Sequence, residues 1–453
     1  MQTHTGISTG WGSMLRVSLP ISLGIFVQFI VVFIDNFFVA QIDGVAMSAV
    51  AFIGLIYLAL SMLGVGAGNA AQILIARRLG EQRKEEVPLI LGNALWLGVC
   101  IGIMQVLIMW LLLPPLLDAT VESGPLRDYM MVFAKWRALG FLFYTPTVIL
   151  NSYWSGVANT RVLAYGTLIT SGFTILLDYL LIFGHGGFPA LGVEGAAIAT
   201  MCAEGVAMLF IALYSFRHAY ASAEQDDRKL FNRKVFQWSR VHTLPLTKLG
   251  FPISLQLLAS LGIWIVFYGF IEDMGEQDLQ SAFIVRNMYM LCYVSVGGIS
   301  TATKTYVSAL IAEGRQSELL RTMFRLMALN FLGIALLSHG LWCYPEWIAG
   351  QFTQDPGVVQ RTIDSMLVVL PAMLGFSVTG VMLATVEGCG ATLRGFVIEA
   401  TTGLLYIIAA WWMVHRAHWP IHYVWASDYV YFFFLGFFSL LFLFNGRWKY
   451  RQI

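Results

Sequence analysis

Two aspartates stand inside long apolar stretches of this sequence. Asp35 lies in Phe33-Ile-Asp-Asn-Phe-Phe-Val-Ala40 and Asp178 in Leu177-Asp-Tyr-Leu-Leu-Ile-Phe-Gly184. A carboxylate in such surroundings is costly unless it is paired, hydrated or protonated, so each is a candidate for binding a proton or a small cation. If the fold brings the two together, each disfavours the other's charge, and a proton held by the pair could come and go near physiological pH. Thr174 lies one helical turn before Asp178 on the same face and adds a hydroxyl. The plainer alternatives are that Asp35 is a helix-end charge reaching an interface and that Asp178 is satisfied by local hydroxyls.

Two cations also fall within apolar runs. Arg286 and Lys304 are 18 residues apart, five turns at 3.6 residues each, and therefore share a helix face. Facing a cavity they would suit an anionic, phosphate-bearing cargo such as a lipid-linked sugar; snorkelling toward opposite interfaces is the plainer reading. Hydrolase chemistry finds no support: the chain has no His-Glu-x-x-His, no Gly-x-Ser-x-Gly and no Gly-rich phosphate loop. His415, His418 and His422 have spacings that could hold a metal, but Pro420 interrupts the helix between them and an exposed turn is expected. Cys100, Cys202, Cys292, Cys343 and Cys389 lack paired-ligand spacing and read as small buried hydrophobes. No enzyme activity, metal or organic cofactor is expected.

The elements that must position these groups follow from composition. A chain that is 58% hydrophobic and 12% charged cannot hide its apolar surface in one water-facing globule, so lipid is its solvent. Crossing a hydrocarbon core of about 30 Å takes about 20 apolar residues in a helix. Stretches such as Leu97 to Leu113 and Tyr431 to Phe444 are apolar on every face, which excludes the alternating pattern of a membrane barrel. The fold class is all-α. Spans are predicted near Leu15 to Ala40, Met47 to Ala76, Pro88 to Leu113, Tyr129 to Tyr153, Leu163 to Phe183 and Val193 to Phe216. Six more follow near Leu249 to Ile271, Leu279 to Ile311, Leu319 to Cys343, Val358 to Val386, Leu393 to His415 and Val424 to Phe444. The first apolar run is too long for a signal-peptide core and is read as a retained helix.

Basic residues collect after alternate spans: Arg77, Arg78, Arg83 and Lys84; the stretch from Arg217 to Lys248; Arg315, Arg321 and Arg325; then Arg447, Lys449 and Arg451. By the positive-inside rule both termini are cytoplasmic. The net charge of +1 is set by topology and carries no sign of a nucleic-acid partner.

An internal repeat organises the twelve spans. Pro20-Ile-Ser-Leu23 recurs as Pro252-Ile-Ser-Leu255, an offset of 232 (252 minus 20) that also carries Gly66 onto Gly298, Glu81 onto Glu313 and Gly156 onto Gly388. The expected organisation is an N-terminal six-helix lobe over 1–220, a cytoplasmic linker over 221–248 and a C-terminal six-helix lobe over 249–453. Two parallel halves of this kind suit a carrier working by alternating access, with its site near mid-membrane.

The motifs together resemble a known family. Leu19-Pro20 with the Asp35 segment, Gly64-Val-Gly-Ala-Gly68 leading to Ala76-Arg-Arg-Leu-Gly80, Trp154-Ser-Gly-Val-Ala-Asn-Thr-Arg161 and its partner Glu387-Gly-Cys-Gly-Ala-Thr392 resemble the multidrug and toxic compound extrusion (MATE) family. The Leu177 to Thr200 region is similar to its DinF-like branch. The resemblance implies a coupling cation, a proton or else sodium, held in the N-terminal half by Asp35, Asn151, Asp178 and Thr200. The family often has Asn where this chain has Thr174, and a hydroxyl offers one donor where an amide offers two. The acidic residues that the NorM-like branch carries on spans 7 and 10 have no match at Leu257 to Leu261 or Gly375 to Thr379.

The same resemblance implies export of amphipathic or cationic organic compounds by an ion-gradient-driven monomer in a bacterial plasma membrane. Phe33, Tyr144, Tyr153, Trp154 and Met201 could wall a substrate cavity through cation–π contacts, although ordinary packing would explain each. Pro20 shares the first span with Asp35. There it either kinks the helix in response to protonation or sits harmlessly in a first turn.

Overall fold

The computed structural model describes residues 6–221, 233–450 and 453. Among these residues the chain is helical, with sixteen α-helices. In order they are α1 (Trp11–Ala40), α2 (Gly44–Gly80), α3 (Val87–Leu107), α4 (Leu113–Thr120), α5 (Gly124–Leu139), α6 (Phe141–Gly156), α7 (Arg161–Phe183) and α8 (Val193–Ala221). The second half holds α9 (Arg240–Glu272), α10 (Glu276–Ala312), α11 (Leu319–Cys343), α12 (Pro345–Gly350), α13 (Pro356–Gly388), α14 (Thr392–Trp411), α15 (Ile421–Val424) and α16 (Ser427–Phe444).

Eleven helical segments are long and apolar enough to cross a membrane. The remaining span is divided between α5 and α6, which meet at Gly140. The outer faces carry the side chains lipid requires: Phe33 is 68% and Phe444 83% exposed, which in water would be a large apolar patch. The third span passes from α3 into α4 through a π-helical turn at Ile108–Leu112. Pro114 and Pro115 just beyond it lack the N–H groups that the α-ladder needs, which accounts for the shifted hydrogen bonding.

Packing divides the chain into Leu23–Ser254 and a second unit made of Leu255–Ile453 with the chain up to Ser22. The sequence boundaries at 220 and 249 follow the polar linker; the packing boundaries fall inside α1 and α9, a few residues after Pro20 and Pro252. Glycines explain this. In the N-terminal unit a Cβ on Gly66 would run into the Gly250 carbonyl and Ser254, so only glycine lets the start of α9 lie against α2. In the C-terminal unit a Cβ on Gly298 would run into Ser22 and the Ser18 carbonyl, so the start of α1 lies against α10 in the same way. Ser254 Oγ adds a hydrogen bond to the Leu63 carbonyl at 3.3 Å.

Part of the expected linker is structured. Residues 222–232 lie outside the described residues, but Arg233–Phe236 forms a 3₁₀ turn and α9 already begins at Arg240. Buried Asn93 of α3 anchors this stretch: its Nδ2 donates to the Gln237 carbonyl at 3.1 Å, and its Oδ1 accepts from Ser239 N at 2.7 Å and Thr243 Oγ1 at 2.9 Å. In the C-terminal unit Arg325 stands at the repeat-equivalent position and donates to the Thr9 carbonyl at 2.6 Å. Glu313 accepts from Ile7 N at 2.8 Å and Glu318 from Thr9 Oγ1 at 3.0 Å, fastening the segment before α1.

Candidate functional site

In the N-terminal unit α1 and α7 bring Asp35 and Asp178 together. Their carboxyls face each other closely enough to interact directly. Asp178 is 1% exposed, and among the described residues neither of its carboxylate oxygens, nor Asp35 Oδ1, has a hydrogen-bond partner. Two facing carboxyls with no ion-pair partner among the described residues form an arrangement that a proton or a small cation would complete. Thr174 and Thr200 each turn the hydroxyl hydrogen onto their own helix, to the Thr170 carbonyl at 3.0 Å and the Ala196 carbonyl at 2.8 Å. Their oxygens keep lone pairs for a ligand. Asn151 is half-buried on α6.

A second polar group lies in the same unit and was not singled out in the sequence. Arg137 at the end of α5 pairs with Glu204 of α8 at 2.8 Å. Its guanidinium lies over the Tyr57 ring, 3.4 Å from the centroid, and Tyr57 Oη donates to both Glu204 oxygens at 3.0 and 3.1 Å. Tyr57 in turn stacks on Phe141 with centroids 4.0 Å apart. Gly140, where α5 gives way to α6, has no room for a Cβ because Glu204 and Arg137 occupy that space. The available signal was an Arg within the fourth predicted span and a Glu within the sixth, one of each sign.

The expected wall residues divide. Phe33 is exposed, Tyr144 and Met201 half-buried. Tyr153 and Trp154 are 5% and 4% exposed: Trp154 Nε1 donates to Ser215 Oγ at 2.9 Å, and its ring is T-shaped to Tyr153, Tyr214 and His218. Those two are packing residues in this structure. Pro20 lies well inside α1, not in a first turn, so no residue donates to the Arg16 carbonyl from that position.

In the C-terminal unit Lys304 of α10 does not stand free: it pairs with buried Glu387 of α13 at 2.8 Å. Gln256 Nε2 donates to the same carboxylate at 2.9 Å. Arg286 faces aromatic rings instead, 5.9 Å from the Tyr268 centroid and 5.7 Å from that of Phe283, with its Nε buried and without a hydrogen-bond partner among the described residues. Glu399 of α14 accepts hydrogen bonds from Ser260 Oγ and Tyr431 Oη, both at 2.5 Å. Among the described residues no group of three or more His, Cys, Asp or Glu converges on a metal position.

Known proteins share this design. The chain is 23% identical over 427 residues to the probable multidrug resistance protein NorM of Bacillus cereus, covering 93% of this chain and 90% of that one. It is 26% identical over 403 residues to the multidrug resistance protein PmpM of Pseudomonas aeruginosa, covering 88% and 81%. An outward-facing multidrug resistance MATE family transporter of the MOP superfamily shares the fold with a TM-score of 0.89 at 20% identity, over all of both chains. A MOP superfamily transporter of Pyrococcus furiosus, described as having a binding pocket of reverse polarity, does so with 0.86 at 20%, over 99% and 98%. The MatE family profile matches residues 20–180 and again 252–412, the same offset that relates Pro20 to Pro252, and the chain belongs to the MATE family of multi-pass membrane transporters.

Proposed function

We propose that the protein is a secondary antiporter that couples inward proton movement to export of amphipathic or cationic organic compounds, with Asp35 and Asp178 as the coupling site. The observation that carries this reading is the facing carboxyl pair, membrane-embedded and with three oxygens lacking a hydrogen-bond partner among the described residues. A single proton on the pair relieves the repulsion and supplies the missing donor. Its arrival or departure changes how α1 and α7 hold each other, and Pro20, in the interior of α1, lowers the cost of bending that helix. The names of the NorM and PmpM relatives support drugs as cargo. Asn151, Thr174 and Thr200 complete the proposed ligand set, and the DinF-like assignment goes with it. The distribution of basic turns supports a bacterial plasma membrane address with both termini cytoplasmic, and the protein is taken as a monomer.

The test is efflux of a fluorescent organic cation from proteoliposomes under an imposed pH gradient without sodium. Efflux in the parent, lost in Asp35→Asn, is expected; efflux that needs sodium would replace the proton by that ion. A second reading, movement of an anionic lipid-linked cargo, draws on Arg286, whose buried Nε has no hydrogen-bond partner among the described residues. It predicts that Arg286→Ala stops transport of such a lipid in a parent that moves no organic cation.

A further inference from the structure

We propose that Glu399 is a second proton-binding group, built into the C-terminal unit and loading and unloading a proton separately from the Asp35–Asp178 pair. The proposal extends the reading of the protein as proton-coupled, and it stands on the surroundings of this one side chain. Glu399 is 2% exposed. Its two hydroxyl donors come from different helices, Ser260 from α9 and Tyr431 from α16, and both converge on Oε1. Oε2 makes no hydrogen bond among the described residues.

That division suits a group that changes state. When Oε2 carries the proton, Oε1 is a carbonyl oxygen accepting two hydrogen bonds. When the proton leaves, Oε1 shares the charge and keeps both donors. A glutamate meant to stay ionised would be given a base, and one meant to stay neutral would be given an acceptor for its O–H; among the described residues none forms an ion pair or hydrogen bond with Oε2.

The groups facing Glu399 are few. Tyr431 comes from α16, Tyr293 from α10, and Glu387 from α13; α9 contributes Ser260, which does not titrate. Lys304 is held by Glu387 at 2.8 Å, and of that pair it is the Glu387 carboxylate whose charge acts on Glu399.

The repeat shows that the fold does not need an acid there. Moved by the offset of 232 (399 minus 167), Glu399 falls on Thr167 of α7, a hydroxyl that donates to the Leu163 carbonyl at 3.0 Å. Asp35 and Asp178 fall on Phe267 and Ala410. Each unit therefore carries an acid where its twin has none.

Binding adds one proton to Oε2 and release returns it, with no other bond changed. Because α9, α14 and α16 meet at this carboxyl, its state alters how tightly the three are tied.

The experiment is an infrared pH titration of the full-length protein in lipid nanodiscs, between about pH 5 and pH 9. A protonated-carboxyl band that titrates within this range, vanishes in Glu399→Gln and persists in Asp35→Asn is expected. A Glu399 band that never titrates, or none at any pH, would overturn the proposal. This arm is independent of transport, so it decides even if the parent proves to be sodium-driven. Removing one donor, in Ser260→Ala or Tyr431→Phe, should move the midpoint upward by on the order of one pH unit. An unchanged midpoint in both would also overturn it, and these milder variants serve if Glu399→Gln does not fold.

Discussion

The two units are built on one helical repeat and have different polar interiors. Gly66 and Gly298 do the same job at equivalent positions, each admitting the opening stretch of a proline-bearing helix, α9 in one unit and α1 in the other. The ionisable groups buried within the helices do not follow the repeat. The N-terminal unit has the facing carboxyls and the Arg137–Glu204 pair; the C-terminal unit has Lys304–Glu387 and Glu399. The lesson is that small residues and prolines set the architecture, while chemistry was placed in each half separately.

The comparison can be broken most forcefully at the buried ion pairs. Arg137→Leu leaves Glu204 with Tyr57 alone, and removing one partner of a buried pair costs about 3–5 kcal/mol. A large drop in thermal midpoint is expected, with most of it recovered in the double variant Arg137→Leu/Glu204→Leu. Lys304→Met should behave alike through Glu387. Equal stability of the single and double variants would show that the pairs are solvated and carry little.

The shared part of the design is tested at the glycines. Gly66→Ala and Gly298→Ala each force a methyl into backbone and a serine, and overpacking of this kind costs about 1–3 kcal/mol. Thermal unfolding should show similar losses in the two, whereas a loss in only one would mean that the two helix openings are not held in the same way.

Trp154→Phe sharpens the division between wall and packing. It removes the hydrogen bond to Ser215, at a cost of about 1 kcal/mol, and should lower the melting temperature while leaving organic-cation affinity unchanged. A changed affinity would return Trp154 to the cavity wall.

The twelve spans, the repeat and the acid pair were legible in the sequence because lipid demands long apolar runs and makes an intramembrane carboxylate conspicuous. Three features were not. The need for glycine at position 140 depends on Glu204, which comes from another helix. Arg137 became meaningful only once its partner was known. The unit boundaries at Ser22 and Ser254 follow from where backbones approach at Gly66 and Gly298, and composition, which changes at the polar linker, does not register that. Lys304 illustrates the converse: its helix face was readable, but its neutralisation by Glu387 required the fold.

The smallest effect is expected at the segment before α1. Arg315, at the turn before α11, donates to Glu318 at 2.7 and 2.9 Å and to the Ile7 carbonyl at 2.9 Å. Hydrogen bonds from Arg315 to Glu318 and then Glu313 hold the guanidinium above its ordinary range. A base raised in this way contributes fully below its unfolded value and loses its contribution only in strong alkali. The fastening should therefore be flat across neutral and mildly alkaline pH and weaken only as its carboxylates protonate on the acid side. Arg315→Ala should cost less than about 1 kcal/mol, being partly exposed, and should raise amide exchange at residues 7–9. Strengthening of the segment as acid is added would contradict this sign.

The most direct test of the coupling site is substrate-induced proton release from purified protein in a weakly buffered solution. Adding a tight-binding organic cation should release protons from the parent and from Arg286→Ala. The release should fall sharply in Asp35→Asn/Asp178→Asn, with any remainder removed by adding Glu399→Gln. Undiminished release from the doubly substituted protein would contradict the assignment of coupling to the carboxyl pair.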